Sequence, residues 1–112
     1  MELRRIYENL KGNYDSVKTR LVDDDRIIKF LIKFTNYRYD ELIRNALQAE
    51  DYETAVRESH NLKGICANHS LDALGESAGR LTESLRSRNP EGDISPLVEA
   101  MQRDYDMTIQ AL

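Results

Sequence analysis

The chain has 112 residues, of which 40% are apolar and 32% charged, with five glycines, two prolines and a net charge of −4. Those values fit one soluble domain able to bury a single core and exclude a disordered chain. The negative balance, with no block of lysines and arginines, argues against nucleic-acid binding, and no apolar run is long enough to span a membrane.

The spacing of Leu3, Ile6 and Leu10 predicts a short amphipathic helix over residues 1–10, broken at Gly12-Asn13. Asn13 is a candidate cap for a second piece, 14–21, in which Tyr14, Val17 and Leu21 recur at three- and four-residue steps. Asp23-Asp24-Asp25 could be read as metal ligands, but three acids ahead of an apolar-periodic run suit a helix N-terminus better. The helix they start directs Ile27, Ile28, Leu31 and Phe34 inward and Arg26, Lys29 and Lys33 outward. At Thr35-Asn36-Tyr37-Arg38 the pattern weakens, leaving two alternatives. Either the helix bends, or a new one begins near Tyr39-Asp40 and carries Leu42, Ile43, Ala46 and Leu47.

Asp51 caps the next helix, about 52–67, with Tyr52, Ala55, Ser59, Leu62, Ile65 and Cys66 inward and Asn68-His69-Ser70 at its end. Leu71, Leu74, Ala78, Leu81 and Leu85 then form a 3-4-3-4 seam, and the short linker predicts that this helix returns antiparallel against the preceding one. Asn89-Pro90-Glu91-Gly92 reads as a loop. Ser95-Pro96 reads as cap and first position of a last helix burying Leu97 or Val98, then Met101, Tyr105, Ile109 and Leu112. The whole is expected to be an all-α, up-and-down antiparallel four-helix bundle, one domain over 1–112 with an N-terminal extension over 1–12.

The lone Cys66 can form no internal disulfide and, facing inward, is expected to be a small buried thiol. The basic residues near the N-terminus are followed by no apolar region, so no signal peptide is read there, and the expected location is the cytoplasm.

The chemistry concentrates in Glu58-Ser59-His60-Asn61-Leu62-Lys63-Gly64. On a continuous helix Lys63 lies roughly 60° to one side of His60 and Gly64 roughly 40° to the other. A mid-helix glycine costs about 1 kcal/mol relative to alanine, and close approach of a partner protein to His60 would account for it. The only other histidine, His69, is nine residues on, about 180° away on one helix, so the two form no facing metal pair. No repeated Glu-x-x-His pattern, Ser-His-Asp arrangement or glycine-rich phosphate loop accompanies them. Three readings of His60 remain: an inert surface residue, a general base with no legible second group, or a nucleophile that accepts a phosphoryl group. The third uses the neighbours best. A neutral imidazole has a free lone pair near pH 7, Lys63 can bond incoming phosphoryl oxygens, and Gly64 removes a side chain from the path.

The run His60-Asn61-Leu62-Lys63-Gly64 resembles the His-x-Leu-Lys-Gly motif of histidine-containing phosphotransfer (HPt) domains. Arg20-Leu21 with the acids that follow, the apolar helix ending in Phe34, Leu42 to Ala46, Asp51, and the seam of Leu74, Ala78, Leu81 and Leu85 extend the resemblance over about 14–112. It implies a small four-helix bundle that relays a phosphoryl group between receiver domains of response regulators or a hybrid histidine kinase. His60 would be phosphorylated, Lys63 would steady the phosphoryl group and Gly64 would give the receiver room. Such domains lack kinase activity; catalysis and Mg2+ belong to the receiver, so no cofactor is expected on this chain. Docking would use the patch around Arg57, His60, Lys63, Gly64 and Ala67, with Arg80 adding positive potential.

Gly75 and Gly79 either let their helix pack closely on the motif helix or, for Gly79 with Thr82, line the docking surface. The chain departs from the family at Ser59, where alanine is common, and at Asn68-His69-Ser70, where an Asn-Leu-Gly-type end is frequent. The Ser59 hydroxyl can bond back to a carbonyl one turn earlier. His69 is read as a partly buried or capping residue. The protein is expected to be a monomer, without membrane or nucleic-acid partners; Met1 and the missing kinase domain suit a stand-alone module. The alternatives are a non-phosphorylated helical adaptor that binds receivers, and a bundle enzyme or metal protein using His60 with carboxylates.

Overall fold

Short polar side chains start three of the helices where the sequence places them. The computed structural model describes residues 3–21, 23–86 and 93–111. Among these are seven helices and no strand: α1 (Leu3–Asn9), α2 (Tyr14–Leu21), α3 (Asp24–Asn36), α4 (Tyr39–Gln48), α5 (Tyr52–Asn68), α6 (Asp72–Leu85) and α7 (Ser95–Ala111). Asn13 accepts the Ser16 N–H at 3.0 Å, Asp23 that of Asp25 at 2.9 Å, and Asp51 that of Thr54 at 3.2 Å. Each carboxylate or amide oxygen thus satisfies a backbone donor that a helix start leaves unpaired. Helix α7 begins one residue earlier than expected. The Ile94 carbonyl accepts from Leu97 and Val98, so Ser95 is the first helical residue, its own N–H bonded to the Asp93 carboxylate at 2.9 Å.

Three helices end in the same way, each on a non-glycine residue in the left-handed region: Lys11 (φ 53°), Glu50 (φ 56°) and Ser70 (φ 55°). In each case the following N–H reaches five residues back, from Gly12 to Tyr7, Asp51 to Ala46 and Leu71 to Cys66. This is the paired-bond helix stop that usually employs glycine.

The chain breaks between Asn36 and Tyr39 and does not merely bend. Ile27, Leu31, Phe34, Ile43, Ala46, Ala55, Leu62, Cys66, Leu74, Ala78, Leu81, Leu85, Met101 and Tyr105 form one buried cluster. Leu42 departs from expectation: at 39% exposure it lies on the outer side of α4, while Leu47 is partly buried. The expected burial of Leu21 and Leu112 and the expected loop at 89–92 lie outside the described residues.

Helix α5 packs on α4 and on α6, α6 packs on α7, and α7 returns to α4, which closes a ring of four helices. Helices α5 and α6 run antiparallel: an added Cβ on Gly75 would meet Cys66, while one on Gly79 would meet Lys63, so α6 descends as α5 rises. Three helices, α1 to α3, precede that ring. Their connection to it includes Gly12-Asn13, where Asn13 donates its N–H to the Ser70 carbonyl at 3.0 Å. A Cβ on Gly12 would lie 2.5 Å from that same carbonyl oxygen, so the approach requires glycine.

Candidate functional site

Helix α5 separates an inner from an outer face. Ala55, Ser59, Leu62 and Cys66 are buried, whereas Arg57, His60, Lys63, Gly64 and Ala67 are exposed. Ser59 is accommodated inside because its hydroxyl donates to the Val56 carbonyl at 3.1 Å. A Cβ added to Gly64 would meet nothing within 4 Å, so the space above it is open. The Lys63 stem lies over Gly79 of α6, where an added Cβ would touch its Cδ and Cε at 3.5 Å. Gly75 serves a different purpose: a Cβ there would come within 3.1 Å of the Cys66 Cβ, so it permits close packing of α5 and α6.

Two expected docking residues fall elsewhere. Thr82 is fully buried and its hydroxyl donates to the Ala78 carbonyl at 2.7 Å, because its position on α6 turns inward beside Leu81 and Leu85. It presents nothing to a partner. Arg80 pairs with Glu76 at 2.5 Å and lines a groove with Arg103 and Met107 of α7, a groove that His60 does not line. Arg57 remains on the outer face, its Nε 3.6 Å from the Glu58 carboxylate.

His60 lines a shallow groove with Asn61, Gly64, Ile65 and Asn68 of α5 and with Tyr37 and Tyr39. The two tyrosines were not foreseen from the sequence, because the groove depends on how the α3–α4 break folds back. Tyr105 fixes that break. Its buried hydroxyl accepts the Tyr39 N–H at 3.1 Å and donates to the Tyr37 carbonyl at 3.1 Å. Burial pushes this phenol well above its ordinary range, so it stays protonated as the donor. Beside it, Asp40 is buried yet accepts two bonds from Arg38, at 3.0 and 2.7 Å, and one from Gln102 at 2.8 Å. Burial alone would raise the Asp40 pKa; these partners outweigh it and hold the carboxyl below its ordinary value. Tyr37 and Tyr39 meet with ring centroids 4.5 Å apart.

The carboxy-terminal end of α5 is tied to the preceding helices. Arg20 of α2 donates to the carbonyls of Asn68 at 2.9 Å and Ala67 at 3.0 Å, and also to the Ser70 hydroxyl. His69 follows as the helix cap, as expected of a capping, half-buried residue, with Nδ1 donating to the Ile65 carbonyl at 2.8 Å. Its ring stacks on Phe30 of α3, centroids 3.3 Å apart and planes within 10°. Burial lowers the His69 pKa, with a further push from nearby Arg20. Cys66 is buried, and its thiol is pushed up to about 12, which leaves it unreactive.

Among the described residues no group of three or more His, Cys, Asp or Glu side chains could hold a metal ion, and no helix is long and apolar enough to cross a membrane. The exposed His60 thus stands with a neighbouring ammonium and an open approach. A family model described as the Hpt domain matches residues 38–111, about two thirds of the chain, and these residues contain α4 to α7 and the whole of the His60 motif. The chain belongs to the Hpt domain family. Searches of curated proteins and of solved structures each returned no match. Hpt domains are phosphocarriers of two-component phosphorelays, not catalysts, and they work with receiver domains and kinases. The match leaves α1 to α3 of this Hpt protein outside the shared frame.

Proposed function

We propose that this Hpt protein is a phosphorelay intermediate in which His60 accepts a phosphoryl group from the aspartyl phosphate of one receiver domain and passes it to another. The observation that carries this reading is the exposure of His60 on α5 beside Lys63 and beneath the open space over Gly64. Helices α4 to α7 act as an up-and-down four-helix scaffold that holds this face outward.

In the transfer, a ring nitrogen of neutral His60 attacks the phosphorus, the bond from phosphorus to the aspartyl oxygen breaks, and the carboxylate leaves. The imidazole loses its other ring proton to solvent, so the product is a phosphohistidine with a neutral ring and an anionic phosphoryl group. Lys63 offers its ammonium to the phosphoryl oxygens, charge-assisted bonds that favour the negative group on either partner's side. The Lys63 stem resting on Gly79 limits where that ammonium can sweep. Catalytic Mg2+ belongs to the receiver, and the chain works as a cytoplasmic monomer, a carrier without kinase activity.

The test is incubation with phosphorylated receiver domains, followed by a search for acid-labile, alkali-stable label. His60→Gln is expected to abolish the label; label persisting in that variant rejects the site. Binding of receivers without any label would make the protein an adaptor.

A further inference from the structure

Several cations among the described residues are engaged by carboxylates. Arg4 pairs with Asp15, Lys18 with Asp24, Arg38 with Asp40, Arg80 with Glu76 and Arg86 with Glu83. Lys63 on α5 and Arg26 and Lys33 on α3 are exposed and have no carboxylate partner among the described residues. Their positions are related.

Arg26, Phe30, Lys33 and Tyr37 follow one another at steps of four, three and four, so they form a single stripe along α3 and its cap. Two members of the stripe reach the end and the middle of α5. Phe30 stacks on His69, and Tyr37, half exposed, lines the groove with His60. As the stripe advances from 30 to 37, its neighbour on α5 retreats from 69 to 60. Lys33 lies between those two anchors in the order of the stripe, on its exposed edge. Arg26 extends the same edge one turn beyond Phe30. Tyr37, which lines the His60 groove, therefore ends a stripe of α3 that also carries the exposed cations Lys33 and Arg26.

We propose that Arg26, Lys33 and Tyr37 form a second wall of the receiver-docking surface and select receivers that carry an acidic rim next to their phosphorylation pocket. The inference rests on the reading of His60 as a receiver's partner. Two observations point to this occupant: the unpaired charges complement an acidic protein surface, and the wall is continuous with the His60 groove. Because α3 lies outside the matched residues 38–111, this wall is supplied by the chain's own amino-terminal helices.

The test uses the full chain and the isolated receiver domains of the same organism, each loaded with Mg2+ and beryllofluoride, in calorimetric titrations. The wild type and His60→Gln are expected to bind at least one receiver, with affinity that falls as salt rises. The double variant Arg26→Glu/Lys33→Glu should bind it about tenfold or more weakly, and Tyr37→Ala should weaken it as well. Arg103→Glu, the same kind of charge change on α7, should leave binding close to wild type. Thermal melts should show all variants folded, since these side chains are exposed. A receiver that binds the double variant as tightly as the wild type overturns the wall. Failure of every receiver to bind overturns the wall and the carrier reading together. Binding that depends on Arg26 and Lys33 without label on His60 upholds the wall and rejects the carrier reading alone.

Discussion

The Arg20 guanidinium donates to the carbonyl of Asn68, 48 residues further along the chain, and to that of Ala67 beside it. It thereby closes the last turn of the helix that carries His60, where unpaired carbonyls and the negative end of the helix dipole favour a cation. One side chain from the amino-terminal helices thus supports the carboxy-terminal end of α5, and His69 stacked on Phe30 supports it a second time.

Replacing Arg20 by alanine removes these bonds from an exposed site, with an expected cost of about 1–2 kcal/mol. For a domain of this size that is a fall in melting temperature of roughly 4–10 °C. Lysine in its place should recover only part of the loss, because an ammonium cannot present the planar fork that reaches two carbonyls together. An Arg20→Ala melting temperature equal to wild type would show that the contact contributes nothing.

Glu50 is the clearest opportunity for stabilisation. It is exposed, its backbone is left-handed at φ 56°, and the helix stop it forms is normally filled by glycine. A left-handed conformation costs a non-glycine residue about 1–2 kcal/mol, part of which glycine returns as unfolded-chain entropy. Glu50→Gly should therefore raise stability by about 0.5–1 kcal/mol, read as a higher urea midpoint. A lower midpoint would mean that Glu50 makes a compensating interaction.

Most of the helices were legible because they are announced locally, the start of α4 being the exception. Asn13, Asp23 and Asp51 cap where polar residues precede periodic apolar ones, and the seam from Leu71 to Leu85 is buried throughout. His60 and its exposed neighbours were legible for the same reason, since a single helix face is fixed by spacing alone. Contacts between distant segments were not. Tyr37 enters the groove only because Tyr105, from the last helix, holds the α3–α4 break, and Arg20 bonds α5 across 48 residues of sequence. Thr82 was misplaced for a related reason. The position is three residues from Gly79, but a small polar residue can be buried when its hydroxyl bonds its own helix, as it does to Ala78.

Gly64 separates stability from function. Nothing lies within 4 Å of a Cβ added there, so Gly64→Ala should fit without strain and gain about 0.5–1 kcal/mol of helix propensity. Gly64→Val should also fold, but its branched side chain would stand in the approach to His60 and slow phosphoryl transfer from receivers. Equal transfer rates for Gly64→Val and wild type would count against the clearance argument, and a destabilised Gly64→Ala would contradict the open space.

His69 should give the protein a pH dependence that its carboxylates cannot. Burial depresses its folded pKa below the ordinary value of 6.5, and Arg20 adds to the effect. Below about pH 6.5 the unfolded chain takes up a proton that the folded chain resists, so the unfolded state binds more protons and stability falls with pH. The contribution is intact above 6.5 and is lost as pH falls through the folded value, at up to about 1.4 kcal/mol per pH unit. Asp24, Asp40 and Asp51, whose values are lowered from 3.8, act only in more acidic solution. Urea midpoints measured at intervals from neutral pH down to about pH 5 should decline for wild type and stay nearly level for His69→Gln, which cannot titrate there. His60 remains in that variant, so an undiminished slope in His69→Gln would transfer the effect away from His69.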